Sequence, residues 1–305
     1  MYAHERPPSR AAAIATFAVL TLIWGTTWAA IRIGLQGIPP LAGVALRFAI
    51  AAGVLGAVGI ALGVRFGATT VERRLWWVNG LLSFCASYGL VYWAEQWVPS
   101  GLASVLFATF PLLVALLAHA ALPGERLTLP SAIGTALGFA GVATIFSEDF
   151  ARLGGRDVAF AAVVVLIAPL ASAIASVAVK KWGRAVHPLS ITAVPMAIAA
   201  GVMGGLSLAL ERERAFHWTA VSVAALLYLA IAGSAVTFSL YYWLLTHLPA
   251  TRMSMIAYTS PVVAVFVGAA WLGEPVTLRM LTGSALVLAG VALATRRRRA
   301  SGRER

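Results

Sequence analysis

"YWAEQWVPSGLASVLFATFP", residues 92–111, and "YWLLTHLPATRMSMIAYTSP", residues 242–261, share one skeleton. Tyr92, Trp93, Pro99, Ser104 and Pro111 of the first recur 150 positions later as Tyr242, Trp243, Pro249, Ser254 and Pro261. Each stretch reads as the end of one apolar helix and the start of another. A proline marks the seam, because the first turn of a helix needs no amide donor there. Only the first copy holds an acid: Glu95 and Gln96 stand opposite Leu245 and Thr246.

The duplication extends outward in both directions. "PLAGVALRFAIAAGV" (40–54) matches "PLSITAVPMAIAAGV" (188–202), and "ERLTLPSAIGTALGFAGVA" (125–143) matches "EPVTLRMLTGSALVLAGVA" (274–292). The blocks keep one order, at offsets of 148 to 150, which chance matching of Ala- and Leu-rich sequence does not produce.

Composition gives the class. Hydrophobic residues are 60% and charged residues 11% of the chain, where a soluble domain carries about 25% charged residues; mean hydropathy is +0.87. Apolar runs long enough to cross a hydrocarbon core of about 30 Å recur throughout, and in lipid such runs satisfy their backbone as helices. The expectation is an all-α polytopic membrane protein with ten spans, near 11–34, 40–62, 74–94, 99–121, 129–147, 157–179, 188–210, 219–244, 249–272 and 278–295. Two five-helix repeats result, 11–147 and 157–295, flanked by an N-terminal tail, 1–10, and a basic C-terminal tail, 296–305. Five is an odd number, so the second repeat enters from the opposite face. Inverted repeats are a plan on which secondary transporters are built, since two such halves can open one site alternately to either side.

The net charge of +12 belongs to the membrane rather than to nucleic acid. Of the 23 Lys and Arg residues, sixteen fall on the side holding both termini, five on the other and two, Arg32 and Arg47, within spans. Basic residues stay cytoplasmic in short loops, so both termini are expected in the cytoplasm of a bacterial-type inner (plasma) membrane protein. The first span is too long for a signal peptide and has no clear cleavage site, so it is expected as a retained helix. Trp76, Trp77, Trp97, Trp182, Trp218 and Trp271 lie near span ends, where indole favours the headgroup zone. The one cysteine, Cys85, reads as a core residue, and no metal-ligand spacing exists.

"LIWGTTWAAIRIGL" (22–35) followed by "PLAGVALRF" (40–48), with "GERLT" (124–128) and "GEP" (273–275) after the fourth and ninth spans, resembles the drug/metabolite transporter superfamily, and within it the EamA-type transporters. The resemblance covers about residues 12–295. It implies an inner-membrane carrier, often an exporter of amino acids or related metabolites, with ten helices around a central cavity. Small four-helix drug/proton exporters rely on a glutamate in their first helix. The first span here has no acid, which leaves the energy source open.

Ionisable groups within a bilayer cost about 2.5–3.5 kcal/mol on the insertion scale, so each is a functional suspect. Arg47 lies roughly 10 Å into its helix from Pro40, at 1.5 Å per residue; it is a counter-ion for a substrate carboxylate or a structural cap, and the repeat has Pro195 in its place. Arg32 is expected to snorkel outward. Lys180 and Lys181 fit the cytoplasmic bias, with phosphate recognition as the alternative. Glu95 is either a proton or ammonium site at the outer mouth or a solvated loop carboxylate. Glu125 and Glu274 precede Thr128 and Thr277, which can cap the next helices. A substrate wall is expected from Trp24, Thr27 and Trp28 of the first span, Ser172 and Ser176 of the sixth, and Tyr88, Tyr92, Tyr242 and Tyr258. Pro111 and Pro261 free backbone carbonyls at matching positions and suit gates. Gly59/Gly63 and Gly134/Gly138 suit close helix packing.

A secondary carrier exporting a small metabolite by alternating access is therefore expected. The alternative is a membrane enzyme, or a sensory or structural membrane protein without transport activity. No nucleophile–base motif, phosphate-binding loop or soluble sensor module is written in this sequence. No cofactor and no metal are expected. The partners are a small-molecule metabolite and the lipid bilayer, with a homodimer possible and no nucleic acid.

Overall fold

The computed structural model describes residues 8–98, 100–145, 147, 156–263 and 277–294. Pro99, Trp271, Glu274 and the basic run at 296–299, all singled out above, lie outside the described residues. In chain order the helices are α1 (Arg10–Gly34), α2 (Pro40–Ala61), α3 (Thr70–Val78), α4 (Tyr88–Ala94), α5 (Ser100–Phe107), α6 (Phe110–Ala121), α7 (Leu129–Ile145), α8 (Arg156–Val165), α9 (Ile167–Trp182), α10 (Pro188–Leu210), α11 (Ala220–Ala230), α12 (Thr237–His247), α13 (Ala250–Ser254) and α14 (Leu278–Ala294). Residues 256–263 are also helical. Two π-helical segments, πA (Asn79–Ser87) and πB (Ile231–Val236), join α3 to α4 and α11 to α12 without a break.

Among the described residues there is no strand. Among the described residues, six helical stretches are long and apolar enough to cross a membrane, and α7 and α14 are shorter apolar helices. Large apolar side chains stay exposed on the perimeter, among them Ile60 at 75% and Leu208 at 73%. In water such a surface would aggregate, whereas lipid accepts it. Trp77, Trp97, Trp182 and Trp218 are exposed at helix ends, as an interfacial belt requires. Trp76 instead turns inward and donates from Nε1 to Ser190 Oγ at 3.1 Å. Cys85 is buried within πA.

Helix starts follow local chemistry. Ser9 caps α1 by accepting from the Ala12 amide, and Thr219 and Ser222 form a capping box at α11. Thr128 and Thr277 cap α7 and α14 as expected, accepting from the Ser131 and Met280 amides. The loop after α2 turns at Gly63 and Gly67, both at positive φ (67° and 74°), where a side chain is strained.

Two helix pairs form the frame: α7 with α14, and α2 with α10. In the first pair glycines let the backbones touch. A Cβ on Gly134 would lie 2.5 Å from Gly290 O, one on Gly290 2.5 Å from Gly134 O, and ones on Gly141 and Gly283 2.6 Å from each other's carbonyl oxygens. Gly134 matches Gly283 and Gly141 matches Gly290 in the two sequence copies, so the repeat exchanges the two contacts. Gly138 receives the Tyr258 ring instead, and Gly59 receives Phe66. Glu211 staples the second pair, accepting from the Leu41 and Ala42 amides at 3.0 Å each. Those amides open α2 and have no partner within the helix.

The glycine contacts generate a stability prediction. Gly141→Ala pushes a methyl into a backbone carbonyl that no rotamer change can move, and should destabilise by about 1–3 kcal/mol. Gly53→Ala, with nothing within 4 Å of the added atom, should be neutral or stabilising. Thermal unfolding of both variants in one detergent checks the difference.

Candidate functional site

A cavity of about 110 Å³ lies among α1, πA, α4, α5, α6, α9, α12, α13 and residues 256–260. That is several times the space one buried water needs. None of its lining residues comes from α2, α7, α10 or α14. The frame helices hold the wall helices and leave the wall to them.

The wall is aromatic and hydroxylic, and among the described residues no lining side chain is Asp, Glu, Lys, Arg or His. Trp24 packs against Phe238 and Tyr241 at 5.3 and 5.5 Å between ring centroids, and Trp28 against Phe107 at 5.7 Å. Such tilted and edge contacts match the ring quadrupoles. Thr27, Ser254 and Ser260 each donate their proton to a carbonyl in their own helix, those of Trp24, Thr251 and Ile256. Their oxygens are thereby left as acceptors. Ser172 bonds Ser87 at 2.9 Å, and Tyr241 donates to Ser176 at 3.3 Å. The wall therefore offers π faces and acceptor oxygens, both of which suit a donor-rich ligand group such as an ammonium.

Of the residues expected at the site, Trp24, Thr27, Trp28, Tyr88, Ser172, Ser176 and Tyr242 line the cavity together. Arg47, Tyr92 and Tyr258 do not. Tyr258 is wedged between residues 256–263 and α7, donating to Thr135 O at 2.9 Å. Arg47 lies behind the wall, only 1% exposed. Its Nε donates to Ser234 Oγ at 2.7 Å, Nη2 to Gly233 O at 2.9 Å and Nη1 to Tyr92 OH at 3.3 Å. Its guanidinium stacks 4.7 Å from the Tyr88 ring centroid, so the charge touches the cavity only through Tyr88.

The seam residues also take definite places. Arg32 is exposed, and its Nη1 donates to Glu95 O at 2.6 Å and Val98 O at 3.3 Å. Lys180, at the matching position of the second copy, donates to Leu245 O, Thr246 O and Leu248 O at 2.8, 3.4 and 2.8 Å. Both cations sit on the negative pole of a helix C-terminus. All three Lys180 donors are occupied, which leaves none for a phosphate; Lys181 stacks on Trp182. Glu95 is fully buried, which corrects the reading of a solvated loop carboxylate. Pro111 follows a break at residues 108–109 and sits second in α6, while Pro261 lies inside helix 256–263, past the break at Met255.

Asn79 is the residue that the sequence reading missed. Pro195 interrupts α10 and has no amide for Ile191 O, so that carbonyl needs another donor. Asn79 Nδ2 supplies it at 3.0 Å, and Asn79 Oδ1 accepts from Tyr242 OH at 2.8 Å. The mid-helix proline was the available signal. Asn79→Ala should lower stability by about 1–2 kcal/mol by leaving buried polar groups unpaired. In a Pro195→Ala background, where residue 195 regains its amide, the loss should shrink by about half. A double-mutant cycle on thermal unfolding reads the coupling directly.

Comparison with known proteins agrees with this architecture. The EamA-like transporter family model matches residues 11–147 and again 159–296. The chain is 28% identical to the transporter YoaV of Bacillus subtilis (strain 168), over 90% of this chain and 94% of that one. It is 32% identical to the inner membrane transporter YedA of Escherichia coli (strain K12), over 84% and 81%. A probable terminal-alkyne amino-acid exporter of Streptantibioticus cattleyicolor is 31% identical over 92% of both chains. A solved crystal structure shares the fold with a TM-score of 0.79 at 22% identity, covering 94% of this chain and 97% of the other.

Proposed function

The chain belongs to the EamA-like transporter family, and from that premise we propose that it is a secondary-active inner-membrane carrier exporting amino acids or related small metabolites. One observation carries the reading: an aromatic and hydroxylic cavity, with no charged side chain among its described lining residues, whose wall comes from matching segments of both sequence copies. A duplicated site between two halves suits alternating access, in which each half closes one mouth. The topology we propose is ten spans in two inverted repeats with both termini in the cytoplasm, in accord with the distribution of Lys and Arg.

Substrate contacts fall to the wall residues. Trp24, Trp28 and Tyr241 supply apolar area and π faces, and Thr27, Ser254 and Ser260 accept from an amino group. Arg47 and Tyr92 brace Tyr88 from behind. Pro111 and Pro261, each near a break in its helix, are proposed as the bending points. The exporter of S. cattleyicolor supports an amino-acid substrate by similarity.

Purified protein in liposomes, tested with a panel of radiolabelled amino acids and small metabolites, should show saturable uptake of one class. Trp24→Ala and Ser176→Ala should each raise the half-saturation concentration roughly tenfold, about 1.4 kcal/mol. Absence of saturable transport for every class, in protein that remains folded, would defeat the carrier reading.

Glu95, a carboxylate buried at the end of α4, is the acid we propose for proton coupling, because ionisable groups at membrane depth are retained where function uses them. Glu95→Gln should abolish pH-driven transport and leave substrate counterflow intact. Retention of pH-driven transport would remove Glu95 from the mechanism.

A further inference from the structure

We infer that Glu125 is a gate latch, a positioning residue that holds the cytoplasmic mouth of the cavity shut by joining the two sequence copies. The inference rests on the carrier reading and topology proposed above. Glu125 lies in the loop after α6, in the first copy. Its Oε1 accepts from the Ala250 amide at 2.9 Å, and its Oε2 from the Thr251 amide at 3.2 Å and the Thr251 hydroxyl at 3.3 Å. Those groups open α13, in the second copy. The amides of Ala250 and Thr251, first in α13, have no carbonyl partner within their own helix, so the carboxylate is bound by otherwise orphaned donors.

The place of this contact separates it from the other carboxylate staple. Glu211 binds two successive helix-opening amides in the same way, but it joins α10 to α2, and neither helix contributes to the cavity wall. Glu125 joins α6 to α13, and both do: Phe110 from α6, Met253 and Ser254 from α13. Below those residues α6 packs on α13, with Val114, Ala118 and Ala250 buried in the shared core. Parting α6 from α13 opens a path from the cavity toward the proposed cytoplasmic side, and Glu125 is a polar tie across that line. Lys180 meanwhile grips the other side of the seam, at the carbonyls of residues 245, 246 and 248, from α9 of the same copy. Lys180 therefore fixes the seam within its half, while Glu125 fixes one half to the other.

The test reads exposure of position 254 from the cytoplasmic side. In a Cys85→Ala background, which removes the one native cysteine, Ser254→Cys is labelled with a membrane-impermeant maleimide in inside-out vesicles. Glu125→Gln should raise the labelling rate roughly tenfold, as expected for loss of a charge-assisted tie that biases a two-state equilibrium. Glu211→Gln should leave it unchanged.

A second variant removes the tie from the opposite side. Ala250→Pro deletes the amide that Glu125 Oε1 accepts from, and proline is tolerated at the first helical position. Pro249 already holds φ −55° and ψ 141°, close to the −55° and 146° of Pro39, which precedes Pro40 at the start of α2. The Pro–Pro start therefore has a precedent in this chain. Ala250→Pro should also raise labelling.

Unchanged labelling in both Glu125→Gln and Ala250→Pro would overturn the latch, as would an equal rise in Glu211→Gln. Neither result depends on substrate transport, so failure of the latch and failure of the carrier reading are separately visible.

Discussion

A helix that ends or breaks inside a membrane finds no water for its backbone, and this constraint organises the molecule. Lipid leaves each unsatisfied amide or carbonyl at a cost of several kcal/mol. Several of the helix ends, and one interruption, are met by a side chain of opposite character from elsewhere in the chain. Arg32 and Lys180 hold the carbonyls that end α4 and α12. Glu211 and Glu125 hold the amides that open α2 and α13. Asn79 holds the carbonyl that Pro195 leaves without its amide. Asn79 and Glu211, both buried, are thus the complement of interrupted or opening helices.

Duplication sets where the breaks fall, and chemistry differs between the copies. Position 47 of α2 matches position 195 of α10. Both face a π-helical segment of the opposite copy. In one direction the frame helix gives the donor, since Arg47 reaches Gly233 O and Ser234 in πB. In the other, the π-helical segment gives it, since Asn79 of πA reaches the carbonyl exposed by Pro195. The same junction is closed with donor and acceptor exchanged. The buried guanidinium therefore has a structural task independent of any substrate, and a π-helical segment, which departs from α-helical pairing, is where it lands.

Much of this was legible in the sequence, and the limits are physical. Hydropathy, the 148–150 offsets and the seam prolines gave the helices and the repeat, because backbone satisfaction in lipid leaves few alternatives. Seven of the nine expected wall residues do line the cavity, since Trp24, Thr27 and Trp28, or Ser172 and Ser176, share a helix sector at 3.6-residue spacing. Tyr258 and Tyr92 escaped that logic: their helices also face the frame, and an aromatic on either face reads alike. Arg32 and Lys180 were read as snorkelling or loop cations because their carbonyl partners lie more than sixty residues away. Glu125 was read with Thr128, its sequence neighbour, though its partners are 125 and 126 positions distant. Local pattern reports which helix face a residue is on. It does not report which other helix end comes within reach.

The unequal seams can be weighed on the same grounds. Both seams close through their carbonyls, to Arg32 in one and to Lys180 in the other. Leu245 is buried at 1% exposure and satisfies that position with apolar packing. Glu95 is buried to the same degree, where a carboxylate is more costly than leucine by a few kcal/mol on the insertion scale. Symmetry offers the cheaper residue, already in use 150 positions away, and the chain keeps the acid. The proton-coupling role proposed for Glu95 would give the first copy a use for the acid that Leu245 of the second does not serve, since the two faces of a membrane meet different proton activities.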